Sequence, residues 1–326
     1  MSLLTGLFDL EPQQEVVRIS DWLHDTVLVT LNKRGLVVGL SGGVDSSVVA
    51  FLAVRALGKD RVFGIFMPER HSSEESLALG QGHAESLGID TIIEDISSAL
   101  DGIGCYRRQI EAIRRVFGEY DEGWKCKLTL SSLLTGDRLN VHRLTVQSPT
   151  GDQQTARLPS QAYLQLVAAT NFKQRVRKNI EYYHADRLNY AVAGTPNRLE
   201  HILGFFVKQG DGDADVKPIA HLYKSQVYAL AEALGVSDEI IKRPPTTDTY
   251  SLPQTQEEFF FALPYACLDK CLYASDKGLT PAETAMSLGM TTEQVSWVFR
   301  DIQSKQRGAH YLQAPAQSPG PMPAWN

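Results

Sequence analysis

Several features that would place a protein in other classes are missing from this 326-residue chain. It contains no apolar run near the ~20 residues that a membrane-spanning helix requires, and its first residues lack the basic start and apolar stretch of a signal peptide. The net charge is -6, so no overall basic field attracts nucleic acid or an anionic membrane. We therefore expect a cytoplasmic globular protein that binds neither nucleic acid nor membrane.

Cysteine is also scarce. The four cysteines show no paired CxxC pattern, and Cys267 and Cys271 are one helical turn apart in an apolar, aromatic segment. In a chain without a secretion signal, this usage indicates reduced thiols rather than disulfides or a metal site.

What the chain does contain is an alternation of apolar runs and helical periodicity. Residues 12–33 repeat apolar side chains at spacings of three and four, which predicts an amphipathic helix whose core face carries Val16, Ile19, Trp22, Leu23 and Val27. Buried strands are predicted at 36–40, 62–67, 91–93 and 190–194, and helices at 46–57, 73–87 and 171–188. This order predicts an α/β fold in which helices cover both faces of a parallel sheet.

One region departs from this texture. After a charged helix at 109–116, apolar and polar residues alternate over 127–158, with turn signals at 135–137 and 149–152. We expect one domain, 1–326, that carries an inserted β-rich lobe at 106–161. The tail at 314–326 is rich in Pro, Ala and Gln and is expected to be disordered.

The strongest local signal is the segment 41–46, between a predicted strand and a predicted helix. Gly42 and Gly43 let the backbone approach an anion at a helix N-terminus, and Ser41 and Ser46 add hydroxyl donors. The lysine of a Walker-type loop is absent. Asp45 would repel phosphate unless a cation lay between them, which points to Mg²⁺. A strand-to-helix turn without a ligand remains the alternative.

A second set of polar residues follows a later strand. Thr195 lies where an open α/β sheet binds ligands, and Glu200, early in the next helix, could be a second metal ligand. Asp211, Asp213 and Asp215 lie on a Gly-rich loop, where they are candidate ligands, hydrogen-bond acceptors or parts of a solvated turn.

The Ser-Gly-Gly-Val-Asp-Ser segment resembles the SGGxDS loop of the ATP-pyrophosphatase (PP-loop) superfamily, whose members cleave ATP between the α and β phosphates. Most of the remaining chain, about 16–105 and 165–310, resembles the NAD synthetase family. The segments that carry this resemblance are Met67-Pro68, 171–177 with Tyr182, Gly194-Thr195 with Glu200, 204–215, 222–226, 243–248, and 254–257 with Tyr265.

This resemblance implies an adenine nucleotide alpha-hydrolase-like fold and a carbon–nitrogen ligase that uses ATP and Mg²⁺ to join ammonia to deamido-NAD through an acyl-adenylate. It implies that 41–46 holds the pyrophosphate, that Asp45 and Glu200 hold Mg²⁺, and that Lys224 and Thr246 face the reacting phosphates. Met67 and Thr195 would contact the nucleotide. Arg175, Tyr182 and Asp215 would bind deamido-NAD, and Asp211 or Asp215 would steer ammonium or accept its proton.

The sequence also departs from the family pattern. Val167 replaces an expected aromatic residue, and the insertion precedes the helix that carries Arg175. A related PP-loop ligase that amidates a different carboxylate is therefore the alternative function. We expect the insertion to lie beside the acceptor pocket and to influence which carboxylate is used.

Two features concern partners. No glutaminase domain is visible, so free ammonia or a separate glutaminase subunit is expected to supply nitrogen, and the resemblance implies a homodimer. The segment 279–300 has the spacing of a DNA-binding helix-turn-helix, but Arg300 is the single positive residue between Thr291 and Asp301. We therefore interpret it as a packing helix pair.

Overall fold

The computed structural model describes residues 9–130, 132–133, 142–247 and 249–320. Its strands are β1 (Leu36–Gly39), β2 (Val62–Phe66), β3 (Asp90–Ile93), β4 (Lys125–Thr129), β5 (Arg143–Gln147), β6 (Gln153–Arg157) and β7 (Ala191–Ala193). Its α-helices are α1 (Pro12–Asp25), α2 (Val44–Leu57), α3 (Glu74–Leu87), α4 (Ser97–Gly102), α5 (Cys105–Arg114), α6 (Ser160–Leu188), α7 (Arg198–Leu203), α8 (Lys224–Leu234), α9 (Asp238–Lys242), α10 (Tyr265–Asp276), α11 (Pro281–Leu288) and α12 (Thr292–Gln313). Short π-helical turns follow at Thr26–Thr30 and Glu257–Phe261, and a 3₁₀ turn at Lys59–Arg61.

The main sheet is parallel, with strand order β3-β2-β1-β7. Successive residues of a strand point to opposite faces, and β1 follows this rule. Leu36 and Val38 are buried against helices α1, α2 and α8, whereas Val37 is buried on the opposite face with residues of α4, α5 and α6. The predicted α/β architecture, with helices on both faces, is confirmed.

The strand order reverses at β1. The chain passes from β1 to β2 and β3 on one side, then returns through α6 to place β7 on the other side of β1. The carboxyl ends of β1 and β7 therefore border a crevice, which is where open α/β sheets bind ligands. Ser41 follows β1 into this crevice and Thr195 follows β7.

The predicted β-rich segment forms a separate antiparallel sheet with order β4-β5-β6. Residues 149–152 make the turn between β5 and β6, where Gly151 donates its N–H to Ser148 O at 3.0 Å. The other predicted turn, 135–137, lies outside the described residues. Leu128 and Leu144 of this sheet pack on α5 and on the first half of α6, which begins earlier than predicted.

The C-terminal helices form a further layer. Val295, Val298 and Phe299 of α12 are buried against α10 and α7, so the pair α11–α12 is a packing element, as interpreted from the sequence. The tail from 315 to 320 has no helix or strand, and 321–326 lies outside the described residues.

Two details of the sequence prediction for the first helix are wrong. Trp22, predicted to lie on the core face of α1, is 44% exposed, and α1 ends at Asp25 rather than near Lys33. Trp22 directly precedes Leu23, so it is turned by about 100° away from the face that Ile19 and Leu23 share. The helix is shorter than predicted because Thr26–Thr30 forms a π-helical turn. All four cysteines are free thiols. Across the described ranges, no helix combines the length and apolar character that a membrane crossing demands.

Candidate active site

The loop 41–46 joins β1 to α2 and packs tightly on α3. Gly42 has φ +74°, and a Cβ added there would lie 2.1 Å from Ser76 O, so only glycine fits this position. Ser46 Oγ donates to Gly43 O at 3.0 Å and lies 3.1 Å from Ser41 Oγ. Gly43 has no side chain to cap α2, which leaves the first-turn N–H groups of this helix for an anion.

A cavity of about 310 Å³ lies above this loop at the carboxyl ends of β1 and β7. It is lined by most of the residues that the sequence predicted for ATP, for metal and for catalysis. These are Ser41, Gly43, Asp45, Ser46, Met67, Thr195, Glu200, Asp211, Lys224 and Thr246. Residues from six separate segments of the chain therefore meet around one space.

Lys224 is the central cation of the cavity. Its ammonium donates to Asp45 Oδ2, and the lysine is 1% exposed. Asn197 Nδ2 donates to the other oxygen of Asp45 at 3.1 Å. Asn197 also begins α7 in a capping box with Glu200, whose Oε2 accepts from Asn197 N at 3.1 Å. Asp45, Lys224 and Glu200 are thus joined through one buried polar network.

The charges in this network influence one another. Burial, and then the neighbouring Asp45 carboxylate, raise the pKa of Glu200. Burial alone would lower the pKa of Lys224, but Asp45 and Glu200 hold it above its ordinary value. The site therefore favours an additional positive charge beside the two carboxylates.

The donor set fits a magnesium ion that is also bound to phosphate. Mg²⁺ is commonly held by one or two carboxylates together with substrate phosphate oxygens. Asp45 and Glu200 supply two carboxylates at the edge of the phosphate loop. Within the described ranges there is no group of three or more His, Cys, Asp or Glu side chains that could hold a metal without such oxygens.

Another part of the cavity wall is a loop that contains Thr246 and Thr247. Thr246 pairs with Thr255 across a short antiparallel bridge, and Thr247 N donates to Gln254 O at 3.0 Å. Thr247 lines the cavity and is 9% exposed, and its hydroxyl has no hydrogen-bond partner among the described residues. A buried hydroxyl without a partner is costly, which favours a ligand oxygen at this wall.

Helix α6 contributes three residues that the site prediction did not include. Gln174, Arg177 and Glu181 line the cavity at the i, i+3, i+7 positions of one helical face. Arg177 Nε donates to Met67 O at 3.2 Å, and Glu181 accepts from Lys178 at 2.5 Å. The helical spacing from Arg177 could have identified all three.

The three residues predicted for deamido-NAD do not line this cavity. Arg175 Nε donates to Lys208 O at 3.2 Å and borders a separate cleft with Phe172, Arg107 and Arg108. Tyr182 OH donates to Asp215 at 3.4 Å. Asp215 also accepts from Val192 N at 2.7 Å. These three lie away from the wall formed by Gln174 and Arg177.

Asp211 differs from Asp215 in its surroundings. It lines the cavity, and its Oδ1 accepts from Val207 N at 2.7 Å. Burial raises the pKa of Asp211, so its carboxylate holds a proton more readily than a solvated aspartate. Of the two predicted proton acceptors, Asp211 is the one that faces the cavity.

A parallel sheet with a glycine-rich loop at its switch point, and with a lysine and two carboxylates in the same cavity, defines an α/β enzyme that acts on phosphate-bearing ligands. The family model described as NAD synthase matches residues 15–113 and 138–314. The chain therefore belongs to the NAD synthase family, and the family resemblance found in the sequence is confirmed.

Individual relatives agree. The chain is 60% identical over 305 residues to the NH(3)-dependent NAD(+) synthetase of Mesorhizobium japonicum, covering 94% of this chain and 96% of that protein. It is 56% identical to the protein of the same name from Rhizobium rhizogenes, covering 95% and 94%. The structure of the NH3-dependent NAD synthetase from Campylobacter jejuni, in complex with the nitrate ion, has the same fold, with a TM-score of 0.62 at 23% identity and coverage of 95% and 100%.

Proposed function

We propose that this chain converts deamido-NAD and ammonia to NAD at the expense of ATP. In the first step, a carboxylate oxygen of deamido-NAD attacks the α-phosphorus of ATP, and the bond from that phosphorus to the bridging oxygen of pyrophosphate breaks. In the second step, the nitrogen of ammonia attacks the acyl carbon, AMP leaves, and a proton passes from nitrogen to a base. The observation that carries the proposal is the meeting of the 41–46 loop, Lys224 and two carboxylates around one cavity.

Each side chain has a chemical task in the first step. The N–H groups at the start of α2, with the hydroxyls of Ser41 and Ser46, bind the pyrophosphate. Lys224 and Thr246 lie where negative charge develops on the α-phosphate, so their contacts strengthen in the transition state. Met67 and Thr195 contact the nucleotide. Mg²⁺, held by Asp45 and Glu200, would supply positive charge that reduces the repulsion between two anionic substrates.

The second step needs a proton acceptor close to ammonia. Asp211 supports this role because it lines the cavity and burial raises its pKa. In this proposal deamido-NAD extends beyond the cavity, where Arg175, Tyr182 and Asp215 contact it. A homodimer is proposed for the protein in solution, in the cytoplasm, with free ammonia or a separate glutaminase subunit as nitrogen source. Light scattering on the purified chain measures the oligomeric state.

The inserted lobe proposed at 106–161 is part of a single ligase domain, 1–326. Its antiparallel sheet packs on the first half of α6, the same helix that carries Gln174 and Arg177 into the cavity. This shared helix supports an effect of the lobe on the site.

A product assay tests the reaction. Purified chain with ATP, Mg²⁺ and ammonium chloride is given deamido-NAD, nicotinic acid mononucleotide or nicotinic acid, and AMP, pyrophosphate and amide product are quantified. Equal amounts of AMP, pyrophosphate and NAD are expected with deamido-NAD. Faster amidation of another carboxylate would favour the alternative PP-loop ligase, and ADP with orthophosphate would contradict the chemistry.

A further inference from the structure

One edge of the antiparallel sheet, strand β4, lies beside the segment that leads from the cavity loop with Thr246 and Thr247. Strand β4 pairs with β5 on one side only, which leaves the backbone groups of its other side available. β4 also lies outside the two stretches that the family model matches. What this edge binds therefore bears on how this particular chain builds the common cavity.

The edge is filled by the segment that follows Thr249. Cys126 N donates to Ser251 Oγ at 2.9 Å, and Cys126 O accepts from Leu252 N at 3.0 Å. Two residues further on, Leu128 O accepts from the side-chain amide of Gln254. The groups of β4 that point away from β5 recur at every second residue, as strand geometry requires, so these three hydrogen bonds follow one edge of the strand.

Apolar burial reinforces the pairing. Tyr250 is 4% exposed and packs with Leu128 and Leu166, in the cluster that joins the antiparallel sheet to α6. Leu252 is also buried. At the start of the segment, Lys173 of α6 donates to Thr249 O at 2.9 Å while it pairs with the buried Glu69 at 2.8 Å. The segment is thus fixed at both ends.

Gln254 connects this edge to the cavity wall. Its side chain binds β4, and its backbone oxygen accepts from Thr247 N at 3.0 Å. Gln256 N donates to Pro245 O at 3.0 Å in the same short pairing. A continuous path of hydrogen bonds therefore runs from β4 through Gln254 to Thr247, and Thr246 and Thr247 line the same cavity as the phosphate loop.

We propose that the edge of β4 that is not paired with β5 positions the cavity wall that contains Thr246 and Thr247. Gln254 is the positioning residue, and Ser251 makes a second contact with β4. Without this edge, 245–256 would have to be ordered when ATP binds, and that ordering would reduce the affinity for ATP. The inference rests on the proposed function because it takes Thr246 and Thr247 as contacts of ATP. It gives the antiparallel sheet a role on the nucleotide side, in addition to the acceptor-side role expected from the sequence.

The test combines a structural and a kinetic measurement on the full chain. Gln254→Met keeps the side-chain length and the backbone oxygen but removes the amide donor, and Ser251→Ala removes the hydroxyl at a half-buried position. Hydrogen–deuterium exchange of peptides covering 245–256 is measured without ATP, and the KM for ATP and for deamido-NAD is measured by pyrophosphate release. We expect faster exchange in both variants and a KM for ATP raised roughly three- to tenfold, the effect of losing one hydrogen bond. The kcat and the KM for deamido-NAD should stay within about twofold, because the wall is ordered once ATP is bound and the cost of ordering it appears only in the affinity for ATP.

Two controls separate positioning from general loosening of the sheet. Thr155 lies on β6, the strand of this sheet that is furthest from 245–256. Thr155→Val removes a hydrogen bond of 2.9 Å to Thr145 and should leave exchange at 245–256 and both KM values unchanged. Ser251→Thr keeps the hydroxyl and should behave as the unmodified chain.

Exchange at 245–256 that is unchanged in Gln254→Met and Ser251→Ala would overturn the inference, as would faster exchange with an unchanged KM for ATP. Thr247→Val tests the underlying assignment separately. If it leaves the KM for ATP unchanged, the proposed ATP contact is wrong, whatever the exchange measurement gives.

Discussion

The ATP side and the acceptor side of this molecule differ in how their residues meet. On the ATP side, residues from distant parts of the chain, among them Ser46, Glu200 and Lys224, line one cavity. On the acceptor side, Arg175, Tyr182 and Asp215 lie outside that cavity and bind one another or backbone groups. The comparison teaches that the sheet gathers residues near its strand ends into one cavity, whereas the residues predicted for the acceptor lie outside that cavity.

The difference has a geometric origin. Ser41 and Thr195 follow the carboxyl ends of two parallel strands, which meet at one edge of the sheet. Asp45, Glu200 and Lys224 lie in the first turns of helices that border the same cavity. The acceptor residues on α6 depend on which face of a long helix they occupy. A shift of one residue turns a side chain by about 100°, which separates Arg175 from Gln174.

The largest expected effect on the proposed ATP side comes from removing the positive charge of Lys224. Lys224→Met should reduce kcat/KM for pyrophosphate release by roughly 10²- to 10³-fold, because in the proposed reaction Lys224 stabilises the charge that develops on the phosphate. It also leaves the buried Glu200 and the half-buried Asp45 without their lysine, so the free energy of unfolding should fall by about 1–3 kcal/mol. Rates are therefore compared below the melting transition, measured by circular dichroism. Lys242→Met, at an exposed lysine paired with Asp238, is the control and should change neither quantity appreciably.

The second experiment tests the carboxylates. Asp45→Asn and Glu200→Gln should each reduce turnover at least roughly tenfold and raise the Mg²⁺ concentration needed for half-maximal rate, because each removes one charged oxygen ligand. The measurement is a Mg²⁺ titration of pyrophosphate release at saturating ATP. Glu75→Gln, which alters an exposed carboxylate on α3, should leave the titration curve in place. Variants with the normal Mg²⁺ midpoint would remove Asp45 and Glu200 from the metal site.

The third experiment uses two glycines. Gly42→Ala places a Cβ against Ser76 O at a positive φ, so we expect the KM for ATP to rise roughly tenfold and the melting temperature to fall. Gly82→Ala, in the middle of α3, meets nothing within 4 Å. It should stabilise the protein by about 0.5–1 kcal/mol without affecting ATP. Equal effects of the two substitutions would show that backbone conformation at Gly42 has no special importance for ATP.

These cases show what the sequence could predict. The 41–46 loop was identifiable because its chemistry is local: a buried strand, two glycines and a helix start determine a backbone geometry. Lys224 and Thr246 were located by family resemblance, and the structure places both at the cavity. The parallel sheet followed from the alternation of apolar runs with helical periodicity.

Other features depend on contacts that sequence patterns do not contain. The alternation over 127–158 predicted the antiparallel strands, but nothing in it indicated that the edge at Cys126 would bind Leu252, a residue more than a hundred positions later. The buried pair of Lys173 and Glu69 was missed for the same reason. Trp22 was misplaced because its spacing of three from Ile19 fits helical periodicity, although it is about 100° from Leu23 and lies outside the buried face.

The smallest expected effects concern the acceptor side, and they sharpen the comparison most directly. Arg175→Ala should raise the KM for deamido-NAD by roughly tenfold, the loss of one charge-assisted contact, while the KM for ATP stays within about twofold. Tyr182→Phe removes only a long hydrogen bond of 3.4 Å to Asp215, so its effect on the KM for deamido-NAD should be no more than about threefold. Arg177→Ala is the matched comparison, because Arg177 is two residues from Arg175 but faces the cavity. It should raise the KM for ATP. The three variants are measured by pyrophosphate release with one substrate varied at a time. Arg175→Ala could instead raise the KM for ATP, and Arg177→Ala the KM for deamido-NAD. In that case the two faces of α6 have been assigned to the wrong substrates, and the proposed division between an ATP side and an acceptor side is wrong.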